Sequence, residues 1–121
     1  MSRSVLLQLT RDSIQEVFQA ELTIDRDSLL KEHPLLNEKI ATTINIFLHK
    51  EIKGTYSSTD KNTSLLSNII MSAKKAAFED KKSKTLTTAE YLHCEIELLL
   101  HTAEGTINEI DPAIIHDTLE F

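Results

Sequence analysis

The sequence predicts an α+β domain: an antiparallel sheet of three to five strands with two main helices, residues 5–22 and 63–79, packed on it. Three patterns carry the prediction. Leu66, Ile69, Ile70, Ala73 and Ala77 recur at helical spacing and make one apolar stripe. Cys94, Ile96, Leu98 and Leu100 alternate with Glu95, Glu97 and Leu99, the period of a half-buried strand. Ala41 to His49 alternates in the same way, with Ile44, Ile46 and Leu48 opposite Thr43, Asn45 and Phe47.

The elements follow in order. Ser4 is placed to cap the first helix, whose stripe is Leu6, Leu7, Ile14, Val17 and Phe18. Arg11, Asp12, Gln15, Glu16 and Gln19 are expected to face water. A helical turn starts at Asp27 or Ser28 and stops at Pro34, because the residue before proline disfavours the helical region. The first strand pairs with a second, Ile52 to Ser58, through a turn at Lys50 and Glu51, although neither is the glycine or asparagine such turns favour. Asn62, Thr63 and Ser64 offer caps for the alanine-rich helix, and Lys74 and Lys75 suit its C-terminal dipole. Thr87 and Glu90 have capping-box spacing ahead of the Cys94 strand. Thr106 to Ile110 is a brief strand, and Asp111-Pro112 reads as the start of a C-terminal helix through Leu119.

One domain is expected: 121 residues suffice for one core, and no repeat or linker interrupts them. The formal charge of −6 argues against nucleic acid, since the basic run Lys74 to Lys84 is broken by Glu79 and Asp80. A single cysteine fits a reducing compartment, and neither a signal peptide nor a membrane span is legible, so a cytoplasmic protein is expected.

Four landmarks then carry a resemblance: Ala76-Ala77-Phe78-Glu79-Asp80, Leu86-Thr87-Thr88-Ala89-Glu90-Tyr91, Glu95-Ile96-Glu97-Leu98, and upstream Leu9-Thr10-Arg11-Asp12-Ser13-Ile14. In this order and spacing they resemble the AMME chromosomal-region (AMMECR) protein family, also called AmmeMemoRadiSam system protein A. The resemblance implies an α+β fold and association with a Memo-like protein and a radical SAM protein. Members of that family are usually longer, so this chain is expected to lack their C-terminal portion, and a homodimer or residues 106–121 to cover the sheet left open.

The family's Leu-Arg-Gly-Cys-Ile-Gly motif corresponds to Ile52-Lys53-Gly54-Thr55-Tyr56-Ser57. Gly54 is retained. Lys53 keeps the charge without the planar arginine fork, and Thr55 cannot replace a thiolate. The ligand-binding candidates are Lys53, Gly54, Thr55 and Tyr56 with Glu79 and Asp80. A solvated hairpin is the plainer reading of the same residues. No catalytic residue, cofactor or metal is expected. Cys94 reads as a buried small hydrophobe. His93, Glu95 and Glu97 share a strand face, but neighbours there stand roughly 6.5–7 Å apart, too far for donors each about 2 Å from one ion.

The resemblance and the altered motif together imply a non-catalytic binding or accessory module. Two other readings remain: an enzyme using the Lys53–Tyr56 hairpin with Glu79 and Asp80 as acid/base groups, and a small-ligand binder.

Overall fold

The computed structural model describes residues 4–58, 62–79 and 85–114. Its helices are α1 (Val5–Gln19), α2 (Arg26–Glu32), α3 (Leu65–Phe78) and α4 (Thr88–His93), with a 3-10 turn at Pro34–Asn37. Its strands are β1 (Ala41–Leu48), β2 (Glu51–Ser57), β3 (Glu95–Thr102) and β4 (Gly105–Asp111). They form one antiparallel sheet in the order β2-β1-β3-β4, so the α+β class predicted from the sequence holds.

The pleat separates two faces. Ile44 and Ile46, Ile96, Leu98 and Leu100 point to the side that α1 and α3 cover, and all are buried. The α3 stripe meets them: Leu66, Ile69, Ile70, Ala73, Ala76 and Ala77 are buried, and the alanines let the helix lie close to the sheet. Phe78 is half-buried and packs edge-on against Phe18 of α1, ring centroids 5.3 Å apart. Ser64 caps α3 through Ser67 N–H, and Thr87 and Glu90 close the capping box of α4.

Several expectations are corrected. Helix α1 stops at Gln19, three residues early, because Ala20 turns left-handed at φ 52°. The Glu16 carboxylate then takes the Thr23 and Ile24 N–H groups, 2.8 and 2.9 Å away, and folds the chain back. Glu16 therefore faces inward rather than to water, and its other oxygen meets Lys74 Nζ at 2.7 Å. Burial pushes its carboxyl up, but Lys74 and the two N–H groups outweigh that and hold it below the ordinary glutamate value.

Arg11 is also inward, 1% exposed, while Val17 of the expected stripe is 42% exposed. The Arg11 guanidinium donates from Nε to Asp111 at 2.5 Å and from its terminal nitrogens to the carbonyls of Tyr91, Cys94 and Pro112 at 3.0–3.3 Å. Asp111 is thus the last residue of β4 and the partner of Arg11, not the cap of a following helix. The expected helix from Pro112 through Leu119 does not start at Pro112–Ile114, which are not helical, and the rest of its span lies outside the described residues.

The first hairpin turns at His49 and Lys50, one residue earlier than expected, with Leu48 opposite Glu51. Both turn residues have positive φ, 54° and 69°, the twist a two-residue hairpin requires even without glycine. Helix α2 starts earlier than expected, with Asp25 as its cap.

Candidate functional site

Opposite the helices the sheet carries no covering element among the described residues. Thr43, Asn45 and Phe47 of β1 lie there, with Thr55 and Ser57 of β2, Glu97 and His101 of β3, and Asn108 of β4. Two hydrogen-bonded rows cross this open face. In one, Thr55 Oγ1 donates to Asn45 Oδ1 (2.5 Å), Asn45 Nδ2 donates to Glu97 Oε1 (3.0 Å), and Asn108 Nδ2 donates to Glu97 Oε2 (3.1 Å). In the other, Thr43 Oγ1 lies 2.8 Å from both Ser57 Oγ and His101 Nε2, and His101 Nδ1 lies 3.4 Å from Thr106 Oγ1. Glu97 is the centre of the first row: both its oxygens are held by neutral amide donors.

At the β1–β2 turn end this face becomes apolar. Phe47, Lys50, Glu95, Glu97 and Ile110 line a cleft of about 270 Å³, and Ile110 is 60% exposed. Ile52 flanks Phe47 across the strand pair and is 61% exposed.

The sequence-predicted site residues divide between the two sides of the sheet. Thr55 belongs to the open face and joins the Glu97 row. Gly54 faces α3, where a Cβ would overlap the Ala76 carbonyl oxygen; here glycine allows close approach of a helix. Tyr56 is half-buried on that same side, with Lys75 Nζ 5.4 Å from its ring centroid. Lys53 sits in a β-bulge, since Ile46 pairs with Gly54 but Phe47 with Ile52. The bulge turns its ammonium to Glu90, 3.4 Å away. The Thr87 N–H first, and then Lys53, holds the Glu90 carboxyl below its ordinary value. Glu79 caps the C-terminal end of α3, with its carboxylate 3.7 Å from Lys75. Asp80 lies outside the described residues.

Cys94 is fully buried, and burial pushes its thiol above the ordinary range. It is an inert core thiol. No group of three metal-ligating side chains converges among the described residues, and none of their helices is long and apolar enough to cross a membrane.

Sequence reasoning missed Asn45. Asparagine is disfavoured inside strands, and here it stands between Ile44 and Ile46 on the face shared by Thr55 and Glu97. That misplaced amide is the signal that could have found the row.

The profile of the AMMECR1 family matches residues 7–115, nearly the whole chain. The chain belongs to the AMMECR1 family. Among solved structures it is similar to the uncharacterised protein PH0010 from Pyrococcus horikoshii, at 19% identity and a TM-score of 0.68. That likeness covers 78% of this chain and 48% of PH0010, so the chain spans about half the length of that structure. At this identity the likeness bears on fold alone. No curated protein matches the chain. On the open face Asn45 bridges Thr55 and Glu97.

Proposed function

We propose that this AMMECR1 chain is a binding or accessory module without a reaction of its own, and that the open sheet face is its recognition surface. One observation carries the reading: a sheet face that no other described element covers holds an ordered polar row ending in an exposed apolar cleft. Large apolar side chains in the open with a polar surround mark interaction surfaces on soluble domains. The ordered row presets polar groups, which lowers the entropy lost when a partner docks.

The family resemblance makes a Memo-like protein and a radical SAM protein the first partners to test, in the cytoplasm. Pull-down with tagged chain is expected to recover at least one of them. Thr55→Arg, which places a bulky charge in the middle of the open face, abolishes recovery while leaving the fold intact. Repeated failure to recover either partner, or undiminished recovery by T55R, overturns the reading.

The sheet ends in strands β2 and β4, which carry exposed Ile52, Ile107 and Ile110. Unprotected strand edges favour pairing between copies, and we propose a homodimer formed through one of them. Light scattering on the purified chain is expected to give twice the 13.7 kDa chain mass; a clean monomer contradicts it.

A further inference from the structure

We infer that the cleft at the Phe47 end of the open face receives a single basic side chain, arginine or lysine, presented by the partner polypeptide. The inference rests on the open face being the recognition surface. It adds what that surface selects.

Charge sets the sign of the occupant. Glu95 and Glu97 outnumber Lys50 around the cleft, and among the described residues neither carboxylate has a cation within ion-pair distance. Glu97 is also fixed in direction before any partner arrives, because Asn45 and Asn108 each hold one of its oxygens. An ionised carboxylate offers about four lone-pair sites. The two asparagines take one each, and the others remain for a donor. A guanidinium or ammonium supplies such donors in charge-assisted form.

The apolar walls set the shape. Arginine and lysine bury an aliphatic stem along apolar surface while the charged head reaches a polar partner. Phe47 and Ile110 form that surface next to Glu97. Phe47 adds a ring on which a cation can rest. Lys50 bounds the occupant: an ammonium at the cleft repels a second cation, so one basic residue between apolar neighbours fits and a basic run does not. The hairpin turn places Lys50 there, with its φ of 69° set by the strand twist.

The test uses the whole chain and the backbone amide spectrum. A capped pentapeptide Ser-Leu-Arg-Leu-Ser is titrated against the same peptide with citrulline, which keeps the shape and removes the charge. Saturable shifts are expected at residues 47, 95, 97 and 110. Affinity is expected to fall about tenfold with citrulline, the loss of one charge-assisted contact. Glu97→Gln produces a similar loss, with thermal melting showing that the fold persists. Ile110→Ser, outside the Asn-Glu-Asn row, weakens both peptides alike by removing stem contact.

Equal binding of the two peptides, or no saturable shift up to about 10 mM, overturns the inference. So do equal shifts from free arginine at the same concentration, which would make the cleft a small-molecule site. Partner pull-down separates the two claims. If E97Q still recovers the partner and T55R does not, the cleft assignment fails and the recognition face stands. If both recover it, the face itself fails.

Discussion

Replacing Gly54 by alanine tests why glycine stands there. Its φ is not in the left-handed region, so backbone freedom is not the reason. The reason is space: a Cβ at 54 would strike the backbone carbonyl of Ala76, and the next atom, the Ala76 carbonyl carbon, would be 3.1 Å away. Helix α3 would have to retreat by about 1.4 Å to bring that oxygen from 2.0 Å to the 3.4 Å of ordinary van der Waals contact. A flexible side chain could swing aside, but a helix backbone cannot. Overpacking a core costs about 1–3 kcal/mol, and a backbone obstacle places Gly54→Ala at the top of that range. The unfolded-state gain from removing a glycine returns about 0.4–1 kcal/mol. The net expectation is a loss of about 2 kcal/mol, or roughly 6–10 °C in melting temperature for a domain of this size. Urea unfolding followed by circular dichroism measures it. Ala76→Gly is expected not to rescue the variant, because the obstacle is the Ala76 carbonyl and not its methyl group. A G54A protein within about 0.5 kcal/mol of wild type, or one rescued by A76G, refutes the close-approach explanation.

Other outcomes follow from the buried charges and the thiol. Arg11→Ala removes the buried guanidinium that pairs with Asp111 and is expected to cost about 3–5 kcal/mol by the same unfolding assay. The Arg11→Met, Asp111→Leu double variant is expected to recover part of that loss. It does not recover all, since the Tyr91, Cys94 and Pro112 carbonyls lose the guanidinium as a donor. Glu16 has its carboxyl held down in the folded state, so the stability it adds is present above the unfolded glutamate value of about 4.3 and is lost as pH falls through the lower folded value. Melting temperature is therefore expected to drop steeply below about pH 4.3, and less steeply in Glu16→Gln. Cys94, buried with its thiol raised, is expected to react with iodoacetamide only as fast as the protein opens, and quickly in urea.

Much of this architecture is legible in the chain. The α3 stripe and the Cys94 strand carry clean periods, and the capping box at Thr87 and Glu90 marks its own element. What escaped was charge on the wrong side of a helix. Arg11 stands four residues after Leu7 and three before Ile14, on the stripe itself, but a charged residue type there points toward water. Glu16 stands seven residues after Leu9 and three after Ser13, on the same buried side. Both are buried because partners distant in sequence, Asp111 and Lys74, meet them, and spacing along one helix does not reveal such partners. Asp111 shows the converse: the Asp-Pro pair is a strong local helix signal, and a non-local ion pair overrides it.

The candidate site was half legible. The motif positions Lys53 to Tyr56 are consecutive, but a strand sends neighbours to opposite faces and the bulge at Lys53 redirects one more. A contiguous motif therefore does not become a contiguous surface. The open-face row is assembled from four strands, and only the sheet order brings Thr55, Asn45, Glu97 and Asn108 together.

The most direct test replaces Thr55, on the open face, with a photocrosslinking benzoylphenylalanine in cells. The same residue replaces the exposed Asp27 of α2 as a control. A recognition surface on the open face predicts a discrete adduct from position 55 and none from position 27. Adducts of equal yield at both positions, or an adduct at 27 alone, contradict it.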